Sequence, residues 1–85
     1  MKYIITYDLN KIGQNYEEII KAIKNYRWAH PLESTWFVKT DKSAEAIYAD
    51  LKRYIDENDR LFIAELGANR QGWLAKTDWD FLNSI

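Results

Sequence analysis

One carboxylate in the sequence stands where a strand is expected to end. The segment KYIITYD, residues 2–8, is aromatic and β-branched up to its last residue, Asp8, and such a run is typical of a strand. It is apolar enough to be a central, buried strand. Side chains at the point where a strand leaves its sheet often carry a domain's chemistry. Asp8 is therefore the first candidate for chemistry; the alternative is that it accepts backbone amides in the loop that it opens.

Basic residues provide a second set of candidates. Arg27 next to Trp28 can bind a nucleic-acid backbone and stack a base, although a solvated strand arginine explains Arg27 equally well and is the interpretation we favour. Four further cations suggest a basic edge, but acids are interspersed among them, so a solvated face is the default interpretation. Its members are Lys39, Lys42, Lys52 and Arg53.

Size and composition limit the classes of protein. A chain of 85 residues builds one small domain with one core. The absence of cysteine excludes disulfides and thiolate metal sites. A net charge of −1 provides no global attraction for nucleic acid. Because no signal peptide or transmembrane run is visible, we expect a cytoplasmic protein without a membrane partner.

The elements that must position these residues follow from periodicity and breakers. A capping box from Asn15 to Glu18 starts a first helix that ends near Asn25. A break at residues 30–33, which contain Pro31, separates two short strands. Ser43 is among the N-cap candidates of a second helix. The other predicted elements are strands at Tyr26–Ala29, Ser34–Lys39 and Arg60–Leu66, a helix from Ala44 to Ile55, a short strand at Trp73–Ala75 and a last helical turn capped by Asp78.

This order predicts an α+β fold, a ferredoxin-like βαββαβ sandwich over residues 1–85. Both helices then cover one sheet face, yet β-formers point to both faces of the first strand. An apolar bare face and four Trp in 85 residues indicate an interface. We expect a homodimer, sheet to sheet, with the tail (residues 66–85) as a clasp that uses Trp73 and Trp79. The alternative is a monomer whose tail covers its own sheet.

Three segments together resemble a known superfamily: the strand that ends in Tyr7-Asp8, the segment Ser34–Phe37, and the closing strand Arg60–Ile63. The chain is similar to the small CRISPR-associated proteins of the Cas-two type and to virulence-associated protein D. Within that group it most resembles short bacterial and phage proteins labelled SinR-like. The resemblance spans about residues 1–66.

The resemblance implies a homodimer with the two Asp8 carboxylates facing each other across a cleft. In enzymatic members such a pair holds a divalent metal for phosphodiester cleavage of RNA or DNA, so Mg²⁺ is the implied cofactor and endoribonuclease the implied activity. Two carboxylates and several waters suit Mg²⁺. Other members bind DNA as architectural subunits without cutting it.

The resemblance also suggests roles for residues near the second and third strands. Ser34 would donate to a phosphate oxygen as a second catalytic residue, and Arg27 or His30 would stabilise transition-state charge. Tyr7, Arg27 and His30 are the predicted nucleic-acid contacts. The sequence departs from the family pattern Arg-x-Gln-x-Ser, because His30 and Leu32 occupy the Arg and Gln positions. A plain strand start for Ser34 and a surface histidine for His30 are the alternatives.

Two classes of function follow. The first is a metal-dependent nuclease centred on Asp8. The second is a non-catalytic dimeric module that binds nucleic acid or a partner protein in a phage, defence or toxin system. A small-ligand binder at the dimer cleft is a third class, which only the tryptophan count favours.

Overall fold

The computed structural model describes residues 1–9 and 16–85, and all statements below concern these residues. In chain order the elements are β1 (Lys2–Asp8), α1 (Tyr16–Ile23), β2 (Arg27–Leu32), β3 (Thr35–Lys39), α2 (Ala44–Leu51) with a 3₁₀ turn at Lys52–Tyr54, β4 (Arg60–Glu65) and α3 (Lys76–Asn83). The strands form one antiparallel sheet in the order β2-β3-β1-β4. The predicted ferredoxin-like α+β fold is confirmed, and α3 follows it.

One face of the sheet packs against α1 and α2 and forms the main core. Tyr3, Ile5 and Tyr7 alternate along β1 and are at most 5% exposed, because successive strand residues point to opposite faces. Burying an aliphatic side chain such as that of Ile5 contributes about 1.5–3 kcal/mol. The core consists of Tyr3, Ile5, Tyr7, Leu9, Ile19, Ile23, Trp36, Val38, Ile47 and Leu51.

The second face of the sheet is covered only in part. The tail helix α3 packs against β2, and on this side Phe37 and Leu82 are 6% and 4% exposed. Toward β4 the face stays open, and Phe62 is 63% exposed. We call the uncovered part the open strip; it consists of Ile4 and Thr6 of β1 and their cross-strand partners Ala64 and Phe62 of β4.

Hydrogen bonds fold the tail on itself and join its end to the first strand. The Arg70 guanidinium donates to the carbonyls of Gly67 (2.7 Å) and Leu82 (3.0 Å) and to Asn83 Oδ1 (3.0 Å). The Lys2 ammonium donates to the Ser84 carbonyl. On the β2 side the tail therefore covers the sheet of its own chain, as in the monomer alternative. A tail clasp that reaches a second copy stays a prediction.

Strand β2 is longer than predicted. The sequence predicts a break at His30-Pro31, whereas the strand continues through both residues to Leu32, with an irregular register between Ala29 and Leu32. The reason is that β2 lies at the edge of the sheet and Pro31 falls in its irregular stretch, and both are places where a strand tolerates the missing amide.

The tail also differs from prediction. The predicted strand Trp73–Ala75 is wrong: these residues form no strand, and the Trp73 side chain is 99% exposed. The last element is an eight-residue helix with Ala75 at its N-cap, so Asp78 lies inside the helix and does not cap it. The second helix ends at Leu51 and tightens into the 3₁₀ turn.

The start of helix α2 agrees with the sequence prediction. Ser43 is the N-cap of α2, and its hydroxyl accepts the amide of Ala46 at 3.1 Å, as predicted. The predicted capping box of α1 includes Asn15, which lies outside the described residues. No helix within the described parts of the chain is long and apolar enough to span a membrane.

A polar contact joins the chain after α1 to helix α2. The Tyr26 hydroxyl donates to the Asp50 carboxylate, which also accepts the Lys42 ammonium at 3.0 Å. Burial and the Asp50 hydrogen bond raise the pKa of Tyr26 above its ordinary value of 10.0. The hydrogen bonds from Tyr26 and then Lys42 lower the pKa of Asp50 below 3.8. Both shifts stabilise the fold in the pH range where the phenol is neutral and the carboxylate is ionised.

We expect Tyr26→Phe to destabilise the protein in a pH-dependent way. The raised pKa of Tyr26 gives stability that is present below pH 10 and is lost at higher pH; the lowered pKa of Asp50 gives stability that is lost as pH falls below 4. The loss on substitution should be about 1 kcal/mol between about pH 5 and 9 and should shrink toward both extremes. Urea unfolding at a series of pH values measures it. Tyr48→Phe, at an exposed tyrosine, is the control, and a pH-independent loss would contradict the assignment.

A second expectation concerns the tail. Because Leu82 is buried beside the sheet, Leu82→Ala should reduce the free energy of unfolding by about 2–5 kcal/mol. Ile85→Ala, at a fully exposed position, should leave it unchanged in the same denaturation experiment. Equal stability of the two variants would show that α3 is not docked on the sheet.

Candidate functional site

Asp8 lies at the end of a central strand and faces solvent. Asp8 is the last residue of β1 and is exposed to solvent. Its cross-strand partner on β4 is Arg60. Strand alternation directs Asp8 to the face opposite Tyr7, which is the face of the open strip. A shallow pocket of about 320 Å³ surrounds it. The pocket is lined by Thr6, Tyr7, Asp8, Arg60, Leu61 and Phe62.

Within residues 1–9 and 16–85, the Asp8 carboxylate has free acceptor sites. Neither of the two ion pairs in that part involves Asp8. The Arg60 guanidinium donates to the carbonyls of Asp59 (2.9 Å) and Glu57 (3.4 Å). The alternative role for Asp8, to accept amides of the following loop, falls on residues 10–15, outside the described residues. An exposed carboxylate beside a pocket has the oxygen donors that a hydrated divalent cation prefers.

Ser34 lies beside the same end of β1. Its carbonyl accepts the Tyr7 amide at 3.2 Å and the Thr6 hydroxyl at 3.3 Å. The Thr6 and Thr35 hydroxyls are 3.1 Å apart. These bonds fix the β2–β3 turn against the strand end, so the two residues predicted to be catalytic, Asp8 and Ser34, do lie at one end of the sheet.

Tyr7 differs from its predicted role as a nucleic-acid contact. Its side chain is 5% exposed, and its hydroxyl accepts the Trp36 indole N–H at 3.1 Å within the core. Burial raises the pKa of Tyr7, more than the Trp36 hydrogen bond lowers it. A ring that is buried under the helices has no free face for a base, so Tyr7 positions the strand end that carries Asp8.

His30 belongs to the helix side of the sheet. Its ring stacks on Trp36 with 3.7 Å between centroids and 8° between planes, and Nε2 lies 2.9 Å from the Glu33 carbonyl. Trp36 pairs with Ile5 and so lies on the core face. The sheet separates His30 from the face of Asp8, and the two do not share the pocket.

Arg27 lies at the other end of the sheet. It starts β2 and pairs with Lys39, which in turn pairs with Lys2 at the start of β1. Six residue-to-residue steps of about 3.3 Å each separate Lys2 from Asp8 along β1, or about 20 Å. Arg27 and Asp8 therefore do not form one site, contrary to the role that the resemblance suggests for Arg27.

Sequence reasoning missed two residues beside Asp8, namely Arg60 and Phe62. Both become neighbours of β1 only through the antiparallel β1–β4 register. The signal was available in principle, because a ferredoxin-like topology pairs its first and last strands. The residue opposite Asp8 then depends on a register that spacing alone does not fix.

The described part of one chain offers few protein ligands for a metal ion at this place. Within residues 1–9 and 16–85 no group of three or more His, Cys, Asp or Glu side chains is arranged to hold a metal. One chain supplies the single Asp8 carboxylate, and a second copy would supply another. This donor set fits Mg²⁺, which often uses one or two carboxylates and keeps several waters.

Comparison with known proteins supports the fold. No known protein-family model matches the chain, and no curated protein matches it. Among solved structures, the chain is similar to the crystal structure of Cas2, a protein of the Cas-two type, from Streptococcus pyogenes, with 25% sequence identity and a TM-score of 0.59. The match covers 81% of this chain and 89% of the Cas2 chain. The chain thus has a Cas2-like, ferredoxin-like fold.

Proposed function

We propose that this protein is a Cas2-like homodimer that cleaves phosphodiester bonds of RNA or DNA with Mg²⁺ bound between two Asp8 carboxylates. The observation that carries the proposal is the exposed Asp8 at the end of a central strand, beside a pocket on an open face. The likeness to Cas2 supports the fold that this arrangement requires.

The open strip supports the homodimer. Phe62 is 63% exposed next to Thr6 of β1 and within the pocket of Asp8. A second copy that covers the strip would bury this ring and bring the two β1 strands close together. Association about a two-fold axis then presents the same residues from both chains, so that one carboxylate becomes a pair.

Four residues at this end of the sheet, and the turn that holds Ser34, have roles in this proposal. Asp8 would hold the cation through its carboxylate oxygens, and the Ser34 hydroxyl would donate to a phosphate oxygen. The bonds from Thr6 and Tyr7 to the Ser34 carbonyl hold the turn at the strand end. Arg60, opposite Asp8, supplies positive charge next to the pocket. A bound divalent cation lowers the pKa of a coordinated water and polarises the phosphoryl group.

One observation favours the second candidate, a dimeric module that binds nucleic acid or a partner protein without cutting. Arg27 and His30, the predicted charge-stabilising residues, lie away from Asp8. Among residues 1–9 and 16–85, Arg60 is the one cation that lines the pocket of Asp8, which leaves few described groups to stabilise transition-state charge. Turnover on RNA and DNA with Mg²⁺ or Mn²⁺ separates the two candidates.

Substitution of Asp8 tests the metal centre. Asp8→Asn keeps the size of the side chain and removes its charge, so we expect cleavage of RNA or DNA to fall to the blank level while the dimer persists. In a Mn²⁺ titration followed by NMR, the unaltered protein should show paramagnetic broadening of signals from β1, and Asp8→Asn should not. Asp41→Asn, at another exposed acid, is the matched control. Cleavage that survives in Asp8→Asn would remove Asp8 from the mechanism, and no turnover by the unaltered protein would favour the binding module.

Substitution of Phe62 tests the dimer. Phe62→Glu puts a charge into the open strip, and burial of an unpaired charge is strongly unfavourable. We expect single chains by light scattering where the unaltered protein gives dimers. Tyr48→Glu, at an exposed ring of helix α2 on the other side of the sheet, is the control and should still give dimers. Single chains of the unaltered protein at high concentration would contradict the homodimer and the shared ion together.

A further inference from the structure

Positive charge collects at the end of the sheet opposite Asp8. In the strand register Arg27 of β2 pairs with Lys39 of β3, and Lys39 pairs with Lys2 of β1. Three cations therefore form a row across three neighbouring strands. Directly opposed residues of antiparallel strands have Cβ atoms about 5 Å apart, and like charges at this distance destabilise the pair.

Two members of this row, Arg27 and Lys39, line a cleft, whereas the Lys2 ammonium donates to the Ser84 carbonyl of the tail. The cleft has a volume of about 540 Å³, within the range of sites for small organic ligands. It lies between the chain that follows α1, the ends of β2 and β3, and helix α2. Its lining comprises Ala22, Asn25, Tyr26, Arg27, Lys39, Thr40, Lys42, Asp50, Arg53 and Tyr54.

The charges of the cleft do not cancel. Four of its lining residues are cations and one, Asp50, is an anion. Asp50 is already engaged by the Tyr26 hydroxyl and the Lys42 ammonium. In the described part of the chain Arg27 and Lys39 take part in neither of the two ion pairs. Positive charge without a protein counterion thus lines a concave surface.

We propose that this cleft is a binding site for phosphate groups, carried either by a free nucleotide or by a nucleic-acid strand. Arginine and lysine are the residues that bind phosphate oxygens with charge-assisted hydrogen bonds. A bound phosphate supplies the anion that the Arg27–Lys39 pair lacks. The Asp50 carboxylate accepts both the Tyr26 hydroxyl and the Lys42 ammonium, and so holds Lys42 in the lining of the cleft.

The site is separate from the centre at Asp8. The row of cations lies about 20 Å from Asp8, at the opposite end of β1. Phosphate binding in the cleft therefore does not depend on Mg²⁺ or on cleavage. A titration of the Asp8→Asn protein with phosphate ligands distinguishes the two proposals, because that variant should bind these ligands normally.

Isothermal titration calorimetry of the full chain in low-salt buffer tests the proposal. The probes are pyrophosphate, a nucleoside triphosphate and a ten-nucleotide single strand. We expect the double variant Arg27→Gln/Lys39→Gln to weaken binding at least about tenfold, because two charged contacts to phosphate are lost. Arg53→Gln is a second variant, which leaves the strand pairing intact, and should weaken binding in the same direction.

The control removes the same charge elsewhere. Lys21→Gln/Lys76→Gln changes two exposed lysines outside the cleft and should bind as the unaltered protein does. The cleft variant should also unfold at the same or a higher temperature without ligand, since its like-charge pair is gone.

The probes distinguish the source of the phosphate. Binding of the triphosphate and pyrophosphate indicates a free nucleotide, whereas binding of the single strand alone indicates a nucleic-acid backbone; either supports the site. Absence of binding for all three probes would overturn it. An equal loss in the control double variant would also overturn it, because binding would then follow net charge and not the cleft.

Discussion

The hydrogen bond between the Trp36 indole and the Tyr7 hydroxyl joins the two central strands inside the core. Both groups are buried, so each would lose a hydrogen bond to water without gaining a replacement if the strands shifted. The bond therefore opposes any slip of β1 against β3, and a slip of one residue would move Tyr7 to the other face. Because Tyr7 is held in the core, the next residue, Asp8, is directed away from it. The direction of the candidate catalytic acid is thus set by a core contact.

The face that receives Asp8 is divided between two kinds of cover. Helix α3 packs on the β2 side, and Arg70 and Lys2 bind the carbonyls near its end. The β1–β4 side carries the open strip, with Phe62 exposed. The two interpretations of the bare face, a tail in the same chain and a second copy, hence concern different halves of it. A docked tail leaves the surface available on which the proposed dimer depends.

Local patterns were sufficient to predict most elements but not their neighbours. The β-branched run of β1 and the Ser43 cap of α2 were recognisable because their signals lie within a few residues. Strand β2 continues through Pro31 because it is an edge strand, which is a property of the assembled sheet. For the site, the strand-end position of Asp8 was predictable. The distance to Arg27 was not, because it depends on long-range register.

A net charge of −1 conceals an uneven distribution of charge along β1. One end carries an exposed acid, and the other carries Lys2 in line with Lys39 and Arg27. Interactions of exposed charges fall off within about 8–10 Å at ordinary salt concentrations, which is less than the ~20 Å between the two ends. Cations at the far end therefore add little to the attraction of an anionic ligand toward Asp8. The negative charge of Asp8 likewise adds little repulsion of an anionic ligand at the cleft. Each end has to be assigned by its own local chemistry, since a ligand at either end responds to the charges beside it and not to the chain total.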